Sequence, residues 1–231
     1  MMVDLVITDA SRLDLRTLRC LRAALPAERR ERSDRYERAV DRSSSIVVFA
    51  QLQHLWAERR GGPLPRIDVG RFGKPDFGAD VGLHFNWSHD RALCACVLSP
   101  VPVGVDISGR VPFDPELFTY MAAPGEMALG EHLRALDDMS ALWTRKEATV
   151  KRTGLGLHTP LREVDTTGRD DILTFSCGPQ GFSISVNLAG IPARPASRSL
   201  RTRFLTPAGP QGWSVGPAPP LRRLDAELQA V

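Results

Sequence analysis

Three short stretches of this chain hold residue types that could do chemistry. Glu147 and Lys151 stand four residues apart in "WTRKEATVK", Trp143 to Lys151. On a helix that spacing is the commonest surface ion-pair pattern. Trp143, Glu147, Lys151 and Gly154 also form one helical stripe. Asp106 lies in "VPVGVDIS", with Val101, Val103, Val105 and Ile107 on one side of a strand and Gly104, Asp106 and Ser108 on the other. Asp is a poor residue for a strand, and its place in the exposed register of an apolar run marks a site. Ser88 and His89 close the alternating strand "GLHFNWSHD", where side chains are free to meet a ligand. Asp106 and Glu147 could flank a hard divalent cation such as Mg2+, which takes a few carboxylates together with water and phosphate oxygens. Lys151 could reach a neighbouring phosphate, Lys74 could add charge, and a carboxylate could take a proton from an attacking hydroxyl. Such a set suits chemistry at a pyrophosphate.

The lysines sharpen that expectation. Lys and Arg total 30, and only Lys74, Lys146 and Lys151 are Lys, which leaves 27 Arg. Arg serves wherever a generic surface cation will do, so the three lysines mark places that need a compact ammonium. Lys146 adjoins Glu147 but has no evident role beyond a structural or surface charge.

The elements that would carry these groups read as follows. Residues 26–60 are helical, with Pro26 at a first helical position and Arg29, Arg30, Arg32, Arg35, Arg38 and Arg42 on about half of one helix. A second, more buried helix starts near Ser43–Ser45 and stops at Gly61. "GKPDF" is a turn, and "RALCACVLS" and "VPVGVDIS" are strands. Residues 114–136 are helical, and a further helix is capped by Ser140 and stopped by Gly154. "DILTFSC" and "GFSISVNLAG" form a hairpin. The Pro- and Arg-rich segment from Ile191 onward reads as extended, with Trp213 pinning part of it to the body. No internal repeat is visible.

Composition bounds the class. The chain has 231 residues, 42% hydrophobic and 25% charged, with formal net charge +3 and pI near 8.9. These are values of a globular protein with a full core and a mildly basic surface suited to an anionic ligand or an acidic partner. No apolar run reaches the length of a membrane span, and "MMVDLVITDASRLDLR" lacks signal-peptide order, so a cytoplasmic location is expected. Cys20, Cys94, Cys96 and Cys177 have no zinc-ligand spacing and read as small hydrophobes.

Four elements in order, "GKP" at 73–75, "FNWSH" at 85–89, "VGVDI" at 103–107 and "WTRKEATVKRTGLGL" at 143–157, resemble the Sfp-type 4′-phosphopantetheinyl transferases over roughly residues 26 to 160. The resemblance implies an α+β fold of two pseudosymmetric subdomains with the active site between them. The expected division is 1–102, 103–200 and a Pro/Gly-rich tail at 201–231. It implies transfer of the phosphopantetheine arm from coenzyme A to a serine of an acyl or peptidyl carrier protein, in polyketide or nonribosomal peptide synthesis, with adenosine 3′,5′-bisphosphate as the other product. Asp106 and Glu147 would hold Mg2+, Glu147 would serve as base, and Lys151 would contact phosphate near the scissile bond. Lys74, Ser88 and His89 would bind coenzyme A, with Arg29, Arg32 and Ser45 near the 3′-phosphate. Many bacterial relatives carry a third acid two residues after the Asp, where this chain has Ser108; a water or Glu126 is expected to stand in. The chain is expected to act as a monomer, without nucleic acid or membrane.

Two rival readings are a catalytically weakened homologue that only binds coenzyme A or a carrier protein, and a basic nucleic-acid binder built on the Arg-rich helix. Ser108 favours the first. The second leaves the sparse lysines and the Asp106/Glu147 pair unexplained and predicts steeply salt-dependent binding.

Overall fold

A computed structural model describes residues 2–178, 181–191, 200–208, 212–217, 219–224 and 228. The described chain builds two antiparallel units of one design. In the first, strand β1 (Val3–Asp9) leads through helices α1 (Leu15–Ala23) and α2 (Ala27–Asp34) to the long helix α3 (Ala39–Arg60). A small hairpin, β2 (Ile67–Val69) and β3 (Pro75–Phe77), precedes the larger hairpin β4 (His84–Asp90) and β5 (Leu93–Ser99), and β5 returns to pair with β1. In the second, β6 (Val103–Gly109) leads through α4 (Pro115–Met121) and α5 (Gly130–Leu136) to α6 (Ser140–Thr153). The hairpin β7 (Ile172–Cys177) and β8 (Phe182–Leu188) follows, and β8 returns to pair with β6. Strand, long helix, hairpin is thus used twice, a repeat of topology with no repeat of sequence.

The registers superimpose. Leu5 pairs with Val97 in the first sheet as Val105 pairs with Val186 in the second. On that alignment Asp4 corresponds to Gly104, Val6 to Asp106 and Thr8 to Ser108.

One face of each sheet feeds a shared apolar core. Val3, Leu5, Ile7, Ala95 and Val97 meet Val103, Val105, Ile107, Ile184 and Val186 there. Helix α3 covers the other face of the first sheet with Ile46, Val47, Phe49, Leu52 and Leu55. Helix α6 covers the other face of the second sheet, but through polar contacts. Ser140 meets Ser183 at 2.9 Å, Thr144 meets Ser185 at 2.9 Å, and Asn187 donates to Thr149 at 3.0 Å. The strand "FSISVNL" explains this: its alternation sends Phe, Ile, Val and Leu to the core and Ser, Ser and Asn to the helix.

The expected elements differ in two details, the start of α3 and the role of Ser140, while the stops at Gly61 and Gly154 are as expected. Helix α3 begins at Ala39, earlier than the serines suggested, and ends at Gly61 with φ of 68°. Ser140 is the first residue of α6 rather than its cap, because Asp138 accepts from the Ser140 N–H and the Ser140 hydroxyl is spent on Ser183. Gly154 ends α6 at φ of 76°, a conformation that glycine adopts without strain.

The segment after residue 200, expected as a tail, supplies strands. Strand β9 (Leu200–Pro207) lies parallel to β1, and β10 (Trp213–Val215) extends that sheet, giving the order β10-β9-β1-β5-β4. Arg201 ties β9 to Asp4 at 2.6 Å and Arg203 ties it to Glu58 at 2.6 Å. A short β11 (Arg222–Arg223) borders β7. Trp213 packs against the α3 side of the first sheet, 5.8 Å from the His54 ring. "GPQ" between β7 and β8 falls partly outside the described residues, as does most of 191–199. Among the described residues no helix is long and apolar enough to cross a membrane.

Candidate active site

The site forms where the edge strand β4 of the first sheet lies against the free edge of β6. Three residues of β4 on one side reach β6 in succession. The Val105 N–H donates to Asn86 Oδ1 at 2.9 Å, the Ser88 hydroxyl donates to Asp106 Oδ1 at 2.7 Å, and the Gly109 N–H donates to Asp90 Oδ2 at 2.8 Å. An edge strand presents N–H groups that need partners. Asn86 and Asp90 supply two, and between them Ser88 holds the carboxylate. Asp90 therefore joins the two sheets. Neither it nor Asn86 was expected to act at the site, although their two-residue spacing from Ser88 signals a shared face.

Helix α6 closes the site from above. A Cβ on Gly104 would fall 2.0 Å from the Ala148 carbonyl oxygen and 2.5 Å from the Arg152 nitrogen. Glycine at this position lets α6 lie directly on β6. The face carrying Asp106 is therefore roofed by a helix rather than open to water, and Asp106 is only 5% exposed. That corrects its expected exposed register: the alternation gives the face, and the helix that covers it comes from distant sequence.

Lys151 reaches down from α6 and donates to Asp106 Oδ1 at 2.5 Å and to Ser88 Oγ at 2.9 Å. Its ion-pair partner is Asp106, not the Glu147 one turn earlier on its own helix. Glu147 is half-buried, and its carboxyl is pushed above the ordinary range, first by burial and then by the charge of Asp106, with Lys151 opposing. Two carboxylates close enough to repel, next to one ammonium, carry an excess of negative charge that a cation relieves.

Ser108 is nearly buried on the same strand face, and its hydroxyl donates to the Gly109 carbonyl at 3.1 Å. Glu126 does not stand in for the absent third acid. Its carboxylate meets Lys146 at 2.5 Å, both side chains are fully buried, and it also accepts from the backbone N–H of Ala123 and from the N–H and hydroxyl of Thr166. Lys146 donates in addition to the Leu161 and Val164 carbonyls. That pair anchors α6 to the segment below it, so the role of Lys146 is structural. Among the described residues no three His, Cys, Asp or Glu side chains gather as a metal cluster.

A model of the 4′-phosphopantetheinyl transferase superfamily matches residues 102–188, the span that runs from β6 through α6 to β8. A 4′-phosphopantetheinyl transferase of Bacillus subtilis is 28% identical over 154 residues, 64% of this chain and 69% of that protein. The 4′-phosphopantetheinyl transferase AcpT of Salmonella typhimurium is 35% identical over 130 residues, 54% of this chain and 67% of that protein. The chain belongs to the 4′-phosphopantetheinyl transferase superfamily. The transferase Sfp of Bacillus subtilis is 28% identical over 99 residues, 42% of this chain and 44% of that protein.

The remaining expected site residues of this superfamily member lie in the first half. His89 follows Ser88 on β4 but points to the helix side, where Tyr36 meets its ring edge-on at 6.2 Å. Burial lowers its pKa, while the charge of Asp41 raises it and that of Lys151 lowers it. Arg29 lies over the rings of Phe49, at 4.8 Å, and Trp87, at 5.0 Å. Burial pulls its guanidinium pKa down, and its Nε is buried without a hydrogen-bond partner among the described residues. Arg29 and the exposed Arg32 line a cleft of about 640 Å³ with Trp87, Pro65, Ile67 and Pro75. Ser45 is 4% exposed within α3. The Lys74 ammonium is turned to two backbone carbonyls, of Arg152 at 3.0 Å and Val103 at 3.3 Å.

Three of the four other histidines also find partners. His84 meets Asp76 at 3.2 Å, His54 meets Glu58 at 3.5 Å, and His158 packs at a tilt against Phe72, ring centres 4.8 Å apart.

Proposed function

We propose that this protein transfers the 4′-phosphopantetheine arm of coenzyme A to a serine hydroxyl of an apo acyl or peptidyl carrier protein. The supporting observation is the meeting of Ser88, Asp106, Glu147 and Lys151 at the junction of the two halves. The reaction joins the carrier serine oxygen to the phosphorus bearing the pantetheine arm. The pyrophosphate P–O bond breaks, and adenosine 3′,5′-bisphosphate leaves with the bridging oxygen.

Glu147 is the base that takes the serine proton. Its raised proton affinity brings it nearer to that task than an exposed carboxylate would be. Lys151 is the electrophilic group for the leaving phosphate, and Ser88 orients both Lys151 and Asp106. Arg29, Arg32 and His89 receive the nucleotide end, with Arg29 held ready by two aromatic rings.

The donor set fits Mg2+: the carboxylates of Asp106 and Glu147, close enough to repel, are hard oxygen ligands, and Ser108 adds no third charge. Bound there, the ion would neutralise charge on the pyrophosphate oxygens. Service in polyketide or nonribosomal peptide synthesis, action as a monomer and a cytoplasmic location belong to the same proposal.

Intact-mass measurement of an apo carrier protein incubated with this protein, coenzyme A and Mg2+ tests the reading. A gain of one phosphopantetheine, abolished by EDTA and by Glu147→Ala, is expected. No gain with acyl, polyketide and peptidyl carriers, despite saturable coenzyme A binding, would instead identify a binding homologue.

A further inference from the structure

The hairpin β2–β3 touches both halves of the molecule. Its tight tip is set by Gly70 and Gly73: the Gly70 N–H donates to the Lys74 carbonyl at 2.8 Å, the Gly73 N–H donates to the Gly70 carbonyl at 2.9 Å, and Gly73 has φ of 86°. On one side the hairpin walls the cleft that holds Arg29 and Arg32. On the other, its tip rests on the turn that ends α6. Phe72 packs at a tilt against His158, and the Lys74 stem lies against Gly154, where an added Cβ would come within 3.2 Å of Lys74 Cδ.

The two carbonyls that take the Lys74 ammonium are not equivalent in origin. Arg152 is in the last turn of α6, one residue beyond Lys151 and five beyond Glu147. Val103 opens β6, three residues before Asp106. One ammonium thus joins the helix that carries two of the active groups to the strand that carries the third. The last carbonyls of a helix lack intrahelical partners and sit at its negative end, so a buried cation is well placed there. Lys74 is half-buried, and that burial lowers its pKa.

We propose that Lys74 is a positioning residue that holds Glu147 and Lys151 against Asp106 by clamping α6 to β6, rather than a ligand for a coenzyme A phosphate. The kinetic part of this inference rests on the proposed transfer reaction; the clamp itself does not.

Lys74→Met and Lys74→Arg test it. Three readouts apply: calorimetric titration with coenzyme A, transfer rate at saturating coenzyme A, and hydrogen exchange across residues 148–156. For Lys74→Met, kcat should fall about tenfold or more, equal to about 1.4 kcal/mol of barrier. Its Kd for coenzyme A should stay within about threefold of the parent, since no phosphate contact is lost. Exchange at the end of α6 should quicken. Lys74→Arg, which can still donate to both carbonyls, should restore most of the rate and the protection.

A Kd raised about tenfold or more with the saturated rate intact would make Lys74 a phosphate ligand and overturn the proposal. Unchanged exchange at the end of α6 would overturn it as well. Should Lys74→Met fail to melt cooperatively, Lys74→Arg decides: a weakened Kd with unaltered protection contradicts the clamp. If the parent protein transfers nothing to any carrier, the proposed reaction fails while the exchange comparison still decides the clamp.

Discussion

The two halves share strand order, register and a backing helix, yet one residue pair separates them. Val6 is fully buried in an apolar cluster beneath α3, whereas Asp106, its counterpart, lies beneath α6 with Lys151 and Ser88 as partners. The helices differ in the same sense. Helix α3 seats on its sheet through Ile46, Val47, Phe49 and Leu52, while α6 seats on its own through serine and threonine hydroxyls and Arg145, and the buried Lys146 ties it to the segment on its other side. On the proposed function, the same scaffold serves once for stability and once for chemistry. A polar seating costs desolvation, but it gives α6 a single register, which a site built from the helix, the strand and a neighbouring sheet requires.

Breaking the charged seating should have the largest effect. Lys146→Met leaves the Glu126 carboxylate buried without its cation and should cost about 3–5 kcal/mol of stability in urea unfolding. The double change Lys146→Met with Glu126→Leu should recover much of that loss, making the second half more like the first. The close approach of helix to strand comes next. Gly104→Ala puts a methyl against the α6 backbone and should cost about 1–3 kcal/mol, with a fall in transfer rate, because α6 must shift from Asp106. The first half carries Asp4 at the corresponding position, where the approach of strand and helix leaves room for a carboxylate bound to Arg201 and to Arg59 of α3.

A pH profile sharpens the comparison further. With Glu147 as the proposed base, its raised proton affinity places loss of activity on the acid side: the carboxylate is present above its elevated pKa and is lost as pH falls through it. Asp106→Asn removes one of the charges that raise it, so any residual activity should persist to lower pH than in the parent; kcat/KM against pH checks this. The smallest effect concerns Ser108. Ser108→Glu adds a third carboxylate and should lower the Mg2+ concentration for half-maximal transfer; an unchanged requirement would show that position 108 does not face the ion.

Local pattern carried much of this site. Alternation in "VPVGVDIS" and helical spacing in "WTRKEATVK" put Asp106 with Ser108, and Glu147 with Lys151, on shared faces, and the scarcity of lysine singled out three positions that prove to be buried or half-buried. What local pattern leaves out is which distant element covers a face. The burial of Asp106 depends on α6 lying over Gly104, and the partnership of Lys74 depends on a hairpin folding onto a helix 78 residues away. Glu126 reads in sequence as one more acid near the site, and only the path of the chain through Ala123 and Thr166 commits it to Lys146. The duplicated topology was expected from the family resemblance alone, because pairing and register repeat while side chains do not. The strand after residue 200 was hidden because Arg- and Thr-rich β9 pairs with β1 across almost the whole chain.

Asp106→Val tests the central contrast most directly, because it gives the second half the residue that the first half already has. Transfer to an apo carrier, followed by intact mass, and thermal unfolding would be measured on the same preparation. Transfer should fall about a thousandfold or more, comparable to loss of a principal electrostatic group, with the melting transition intact or shifted upward. Retained transfer would contradict the assignment of chemistry to Asp106, and loss of cooperative unfolding would show that the carboxylate holds the fold together rather than serving the reaction.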